Sequence, residues 1–307
     1  MHYADQRVFP TGETLYAKPF DVDFDELQNS ALDVGTPVAV VHTSRDERWY
    51  YVIDHLNAGW MAVENIALCG YDDLRRCRDA NRVAAVVAPK ADLYLDSGLT
   101  DYFDCVRMGV KFPRRKRGDD GTAEIVVPFR KDNGRLSEEI CYVRAGSIHE
   151  RYLPYTPRTI FCQAFALLNA PYGWGGMYGE QDCSRFVQEV SATVGIALPR
   201  NSSKQAHVGI TLGKYPEGAS DEEKINLLAR NATGACTLLH LRGHIMMYLG
   251  MVNGRPCTIH NPWAYREHCW WGDRVRLINR VAVTDLSLGK GSHRGSFLER
   301  LCSVRFS

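Results

Sequence analysis

Short apolar runs separated by turn residues fill the first half of the chain. They form two groups, at residues 36–42, 48–53 and 59–62 and at residues 91–95, 123–127 and 139–143. Strands that recur at about 8–12-residue spacing are typical of small barrels or sandwiches. Asn133-Gly134 inside the second group is a strong hairpin signal. The first half is therefore predicted to hold two small β modules.

Helical spacing replaces this pattern from Thr156 onward. Thr156 suits the cap of a helix and Pro157 its first position. A second helix is predicted near Asp182, because apolar residues recur at three- and four-residue intervals from Cys183 to Val194. Strands are predicted after these helices at residues 244–249, 257–260 and 274–283. Helices followed by a sheet indicate an α+β domain.

The length of 307 residues exceeds that of a typical single domain. We expect a first β module at residues 1–75, a second at residues 76–155 with a connecting helical segment, and the α+β domain at residues 156–307. The net charge of +1 provides no global field for nucleic acid or a membrane surface. The sequence contains no run of about 18 apolar residues, the length that a membrane-spanning helix needs. Residues 1–20 lack the pattern of a signal peptide.

The ten cysteines include no C-x-x-C pair, so neither a zinc ribbon nor a thioredoxin-like motif is indicated. Most are expected to be small buried side chains. His268-Cys269 lacks the spacing of a metal site, and no metal or cofactor is predicted. Residues 111–117 form a basic run before the turn-like residues 118–121. A solvated hairpin loop is the favoured interpretation, and contact with an anionic polymer is the alternative.

Cys183 is the strongest candidate for chemistry, because it lies in the first turn of a predicted helix. Unpaired N–H groups and the partial positive charge of a helix N-terminus stabilise a thiolate. Such a nucleophile needs an imidazole from elsewhere in the chain as its base. His244, which opens an apolar strand after Gly243, is the best candidate. His260 on the next strand could fix the tautomer of His244.

The register of these two strands presents a difficulty. A two-residue Asn253-Gly254 turn pairs residue 252 with residue 255, so His260 would face Met247, on the opposite side from His244. A bulge or a longer loop around residues 250–254 would return His260 to the side of His244. The sequence leaves both arrangements open.

Five blocks in order resemble the signature of the NlpC/P60 family. They are Tyr172-Gly-Trp-Gly-Gly176, Asp182-Cys183-Ser184, Leu198-Pro-Arg-Asn-Ser-Ser203, Gly243 to Gly250, and Ile259-His260. The resemblance covers residues 156–307. The N-terminal half resembles paired bacterial SH3 (SH3b) modules, with Gly59-Trp60 near the end of the first. Two departures are Arg185, where glycine is frequent, and a slightly long spacing from His244 to His260.

The resemblance implies a papain-like fold and cleavage of the γ-D-glutamyl to diamino-acid bond in peptidoglycan stem peptides. Cys183 would attack the carbonyl, His244 would act as base and then acid, and His260 would orient His244. Tyr172, Asp182, Ser184 and Ser202 would bind a free N-terminal L-alanine. Asp182 also suits a plain helix cap. An SH3 module would close the far end of the cleft, and its candidate contributors are Trp60 and Glu64.

Two alternatives stay open. In one, the SH3-like modules hold peptidoglycan and the peptidase-like domain is inert. In the other, the same chemistry acts on a lipid acyl bond, although the Asp182 and Tyr172 matches argue against this. We expect a monomer of the cell envelope, periplasmic or secreted, with cytoplasmic recycling of wall peptides as a further option. The expected partners are peptidoglycan-derived peptides, with no nucleic acid.

Overall fold

A computed structural model describes residues 3–19, 21–55, 57–78, 83–117 and 121–306. The predicted turn at residues 118–120 lies outside these ranges. The chain forms two compact units. The N-terminal unit comprises Met1–Leu153, Trp174–Gly179 and Ala192–Gly195, and the C-terminal unit comprises Pro154–Gly173, Glu180–Ser191 and Ile196–Ser307. None of the helices in the described ranges is long and apolar enough to cross a membrane.

The first sheet of the N-terminal unit has five strands in the order β2-β1-β5-β4-β3. Its core is a cluster of Leu32, Val52, Met61 and Ile66. The alternation of buried and half-buried residues along β5 matches a strand that covers this core with one face. The strands are β1 (Ala4–Arg7), β2 (Gln28–Leu32), β3 (Ala39–Thr43), β4 (Trp49–Ile53) and β5 (Ala58–Ala62), followed by helix α1 (Tyr71–Arg78).

The second sheet of this unit has seven strands in the order β12-β6-β9-β10-β11-β7-β8. The predicted hairpin is present, because Arg130 pairs with Leu136 around Gly134, whose φ is +79°. Arg107 ties the second sheet to the first through two hydrogen bonds to Asp33, of 2.9 and 3.0 Å. The strands are β6 (Val83–Val86), β7 (Lys90–Tyr94), β8 (Tyr102–Arg107), β9 (Lys111–Arg117), β10 (Thr122–Arg130), β11 (Leu136–Arg144) and β12 (Ile148–Glu150).

The basic run at residues 111–117 was expected to be a loop, and that prediction is wrong. It forms strand β9, which pairs with both β6 and β10. The buried Phe112 anchors the strand in the core of the sheet, and Arg114 pairs with Glu150 at 2.5 Å. Alternation along a strand lets one face carry charge while the other packs.

Two glycines of the Tyr172–Gly176 block pack against β2. A Cβ atom on Gly175 would lie 2.7 Å from Cγ of Gln28, and one on Gly176 would lie 2.9 Å from Cβ of Ala31. Both glycines also have positive φ, of +60° and +87°. This part of the block therefore requires glycine for close packing and for its backbone conformation.

The C-terminal unit is built on a six-stranded sheet in the order β13-β20-β14-β15-β16-β19. Helix α2 begins as predicted, with the hydroxyl of Thr156 accepting from the backbone N–H of Thr159. The helices are α2 (Pro157–Ala166), α3 (Cys183–Ala192), α4 (Ser202–Gln205) and α5 (Asp221–Asn231). The strands are β13 (Ile210–Lys214), β14 (Thr237–Leu241), β15 (His244–Val252), β16 (Arg255–His260), β17 (Ala264–Glu267), β18 (Arg274–Leu277), β19 (Ala282–Asp285) and β20 (Leu301–Phe306).

Two further expectations need correction. Residues 274–283 form two strands rather than one, because the chain turns at Asn279, whose φ is +51°. β18 pairs with β17 in a separate hairpin, whereas β19 joins the main sheet. Of the nine cysteines whose side chains are described, all free, only Cys141, Cys183 and Cys236 are buried. Several others lie on strands with one side only partly covered.

Candidate active site

Cys183 is the first residue of α3, and Asp182 caps the helix. Oδ1 of Asp182 accepts hydrogen bonds from the backbone N–H of Arg185 and from Oγ of Ser184, both at 2.8 Å. The next turns of α3 are anchored by fully buried Phe186 and Val187. The capping interaction and the apolar stripe therefore fix where Cys183 lies.

The thiol of Cys183 lies against the start of β15. The nearby backbone N–H groups of Ile245 and Ser184 act to lower the pKa of the thiol. Burial nevertheless raises the pKa of the thiol to about 12, and the charge of Asp182 adds to this effect. The thiol is therefore protonated at neutral pH. This direction is opposite to the thiolate stabilisation expected from the helix N-terminus alone.

A β-bulge in β15 settles the register of the two histidine strands. Val252 pairs with Arg255 as the short turn requires, but the ladder slips by one residue between Tyr248 and Gly250. Gly250 has a φ of +140°, a value that favours glycine. Met247 consequently pairs with Ile259. Of the two arrangements that the sequence left open, the bulged one is present, and it returns His260 to the side of His244.

The two imidazoles form a hydrogen-bonded chain that ends on β19. Nε2 of His244 lies 2.7 Å from Nδ1 of His260, and Nε2 of His260 lies 2.9 Å from Oγ1 of Thr284. Burial lowers the pKa of His244 to about 3, with a smaller effect from the charge of Arg300. Burial also holds the pKa of His260 well below its ordinary value. Both rings are therefore neutral at pH 7, and Nδ1 of His244 is left to act as a base.

Asp182 also forms a buried ion pair with Arg200, a residue that the sequence did not single out. Nη2 of Arg200 lies 2.6 Å from Oδ2 of Asp182, and Nη1 lies 3.1 Å from Oδ1 and 2.9 Å from Oγ of Ser184. Burial pushes the pKa of Asp182 upward, but Arg200 and the other hydrogen bonds hold it below its ordinary value. Asp182 is therefore charged and already has a cationic partner.

The predicted binding residues occupy different positions around Cys183. Tyr172 is close enough to Asp182 and Cys183 for their charges to raise the pKa of its hydroxyl, after the larger effect of burial. Ser202 is half-buried at the first position of α4. The described part of the chain gives its hydroxyl no hydrogen bond to Asp182 or Cys183. Tyr172, Asp182 and Ser184 are thus brought together. Ser202 is linked to them only indirectly, because another residue of α4, Gln205, bonds to the backbone of Ser184.

Sequence reasoning missed three contributors to this arrangement, namely Arg200, Gln205 and Thr284. Nε2 of Gln205 donates to the backbone oxygen of Ser184 at 2.9 Å and so joins α4 to α3. Arg200 could have been found, because a buried carboxylate requires a partner and the Leu198–Ser203 block supplies a cation. Thr284 carries no such signal, since only the fold brings β19 beside His260.

Trp60 and Glu64 lie in the N-terminal unit. The ring of Trp60 packs edge-on against Tyr51 and His42, with centroids 5.3 and 5.9 Å apart. Glu64 is exposed in a short turn after β5. Their contribution to a cleft stays a prediction. Within the described ranges, no group of three or more His, Cys, Asp or Glu side chains is placed to hold a metal ion.

A buried cysteine at a helix start and a histidine that a second polar group orients are the elements of a cysteine peptidase site. Comparison with known families agrees. Residues 169–266 match the NlpC/P60 family, and residues 15–62 match the SH3 domain of the SH3b1 type. The chain therefore combines an SH3b domain with a domain of the NlpC/P60 family, a family of cysteine peptidases. The predicted family and α+β fold class are confirmed.

Two solved structures share this fold. One is an NlpC/P60 endopeptidase from Photobacterium damselae subsp. piscicida, with a TM-score of 0.81 and 22% identity over 99% of this chain and 71% of that chain. The other is an NlpC/P60 family protein from Bacillus cereus, with a TM-score of 0.69 and 17% identity over 99% of this chain and 96% of that chain. No curated protein sequence matches the chain.

Proposed function

We propose that the protein is a γ-D-glutamyl–diamino acid endopeptidase that acts on stem peptides of peptidoglycan in the cell envelope. The observation that carries the proposal is the set Cys183, His244 and His260, in which the sulfur contacts the start of the strand that His244 opens. The SH3b and NlpC/P60 domains support a substrate derived from the cell wall.

The reaction begins with proton transfer from the thiol of Cys183 to Nδ1 of His244. The sulfur attacks the γ-carbonyl carbon of D-glutamate, and backbone N–H groups near the start of α3 stabilise the resulting oxyanion. The C–N bond breaks as His244 returns the proton to the leaving amine of the diamino acid. His244 then takes a proton from water, which hydrolyses the thioester to release a carboxylate and the free thiol.

His260 and Thr284 position His244 for this role. Nδ1 of a neutral His260 can accept a hydrogen bond from the Nε2–H of His244, and the Nε2–H of His260 can donate to Oγ1 of Thr284. This arrangement keeps Nδ1 of His244 unprotonated before the attack. It also stabilises the imidazolium that forms afterwards, because the Nε2–H bond to His260 strengthens when His244 is charged.

We further propose that the site prefers a free N-terminal L-alanine, bound by Asp182, Ser184, Tyr172 and Ser202. Oδ1 of Asp182 already accepts three hydrogen bonds, whereas Oδ2 accepts one from Arg200. An ammonium group would therefore bind at Oδ2. The pair of Asp182 with Arg200 is neutral as a whole, so the expected selectivity for the amine rests on hydrogen bonding more than on net charge.

One assay tests both parts of the proposal. The protein is incubated with L-Ala-γ-D-Glu-diamino acid and with its N-acetylated form, and Cys183→Ser serves as the control. Cleavage of the free peptide with little cleavage of the acetylated one is the expected result. Equal cleavage of both would remove amine recognition but leave the peptidase. Cleavage of neither would favour the alternative that the protein binds peptidoglycan without cutting it.

A further inference from the structure

A recess of about 370 Å³ opens on the C-terminal unit and plays no part in the mechanism above. A volume of this size falls within the usual range for small-ligand sites. Its lining contains two histidines and a lysine among apolar surface. The lining residues are Ala206, His207, Lys214, Tyr215, Pro216, His240, Cys302 and Ser303.

Three of these side chains stand in one line across three neighbouring strands. Ser303 on β20 pairs directly with Lys214 on β13 on one side and with His240 on β14 on the other. Residues that lie directly opposite in antiparallel strands project from the same face of the sheet. The sheet therefore places an ammonium group, a hydroxyl and an imidazole side by side.

Buried polar atoms in this lining have no partner in the described part of the chain. They are Oγ of Ser303 and Nε2 of His240. The exposed fraction of Ser303 is 7%, so it is more than nine-tenths buried. Tyr215 contributes no hydroxyl here, because its ring packs with Leu239 and Leu241 on the opposite face of the sheet. A buried hydroxyl without a partner is unfavourable, which makes a ligand that accepts hydrogen bonds favourable at this place.

The rim of the recess is held firmly. Arg305 is buried and donates to the backbone oxygens of His207, Val208 and Gly209 at 3.1, 2.9 and 2.7 Å. His207 is thus fixed near His240, whose pKa is lowered by burial and then by the charge of His207. A site whose groups are positioned in advance loses little entropy when a ligand binds.

The charges around the recess favour an anion. Lys214 is exposed and has no ion pair with any described residue, and the charge of His207 acts on His240.

We infer that this recess binds a compact oxyanion, a carboxylate or a phosphate, with Lys214 and His207 supplying charge and Ser303 donating a hydrogen bond. The recess lies one strand from β15, because His240 pairs with Ile245, the residue after His244. Two sources of the anion fit this position. One is a carboxylate of the diamino acid in the leaving group, which rests on the proposed function, and the other is a free inorganic anion.

Calorimetric titration of the full chain with inorganic phosphate tests the site without reference to catalysis. Wild type is compared with Lys214→Met and Ser303→Ala. The controls are Tyr215→Phe, which removes a hydroxyl on the opposite face of the sheet, and Lys290→Met, which removes an exposed lysine elsewhere in the same unit. Lys214→Met is expected to weaken binding by about tenfold or more, since a charged hydrogen bond is lost. Ser303→Ala should weaken binding without lowering thermal stability, because its hydroxyl has no partner in the described part of the chain.

A kinetic experiment distinguishes the two sources. Cleavage of L-Ala-γ-D-Glu-diamino acid is compared with cleavage of the same peptide with its diamino-acid carboxylates amidated. A preference for the free carboxylates that Lys214→Met abolishes identifies the leaving group. Saturable phosphate binding with no such preference identifies a free anion. Absence of saturable phosphate binding, or binding that is equal in wild type, Lys214→Met and Ser303→Ala, would overturn the inference even if the peptide is cleaved.

Discussion

Replacing Arg200 by methionine would leave the carboxylate of Asp182 buried without its cation. The pair has side-chain exposures of only 7% and 10% and two hydrogen bonds between its partners, of 2.6 and 3.1 Å. Removing one partner of such a pair costs about 3–5 kcal/mol, because the remaining charge stays desolvated. This is a large part of the stability of an ordinary domain, about 5–15 kcal/mol. We expect Arg200→Met to destabilise the C-terminal unit severely.

The pH dependence of this loss has a definite sign. In wild type the pKa of Asp182 is below its ordinary value, so its stabilisation is complete above about pH 3.9 and lost as the pH falls through the folded pKa. In Arg200→Met burial dominates and raises the pKa of Asp182. The variant should therefore gain stability on acidification from neutral pH towards about 3.9, and the gap to wild type should narrow.

Hydrogen exchange of amides in α3, measured with increasing denaturant at neutral and at acidic pH, reports the free energy of unfolding locally. Asp182→Asn combined with Arg200→Met should recover part of the loss, because the buried charge is removed. Arg276→Met is the matched control, since its ion pair with Glu267 has side-chain exposures of 51% and 37%, and we expect little change. A loss in Arg200→Met no larger than in Arg276→Met, at either pH, would refute the reasoning.

Three further predictions concern the proposed catalytic groups. Because the pKa of Cys183 is about 12 and that of His244 about 3, kcat/KM should be nearly flat from about pH 5 to 9. Wild type should then show no more thiolate absorbance at pH 7 than Cys183→Ser, and an excess would contradict a neutral thiol. Thr284→Val should lower kcat by about tenfold with KM little changed, since His260 loses its partner; an unchanged kcat would exclude a positioning role. Gly250→Ala, which forces a φ of +140° on a residue with a Cβ, should cost about 1–3 kcal/mol in chemical denaturation and reduce cleavage, and a fully active variant would show that the bulge is dispensable.

The sequence was most informative where local chemistry decides the structure. The cap at Thr156, the apolar stripe of α3 and the Asn133-Gly134 turn each depend on neighbouring residues, and each element is present. The α+β class follows from the order of such elements. The family resemblance then located the candidate nucleophile and histidines together.

The sequence was least informative where distant elements meet. The basic run in β9 packs through Phe112, which the charge around it concealed. The bulge at Gly250 was one of two arrangements that the hairpin pattern allowed. The roles of Arg200 and Thr284 depend on which strands and helices lie side by side. The direction of the pKa of Cys183 also required its burial, which outweighs the helix N-terminus.

Because of the bulge in β15, the proposed catalytic pair depends on whether the number of residues in each paired strand between His244 and His260 is odd or even. His244 and His260 share a side of the sheet because one extra residue lies between Tyr248 and Gly250. Inserting or deleting one residue in either strand would turn one ring to the opposite side, whereas a change of two would preserve the pairing. Residues inserted at the Asn253-Gly254 turn lie outside the paired strands, so an engineered loop there should leave the two rings on one side, whereas a single insertion within either strand should separate them.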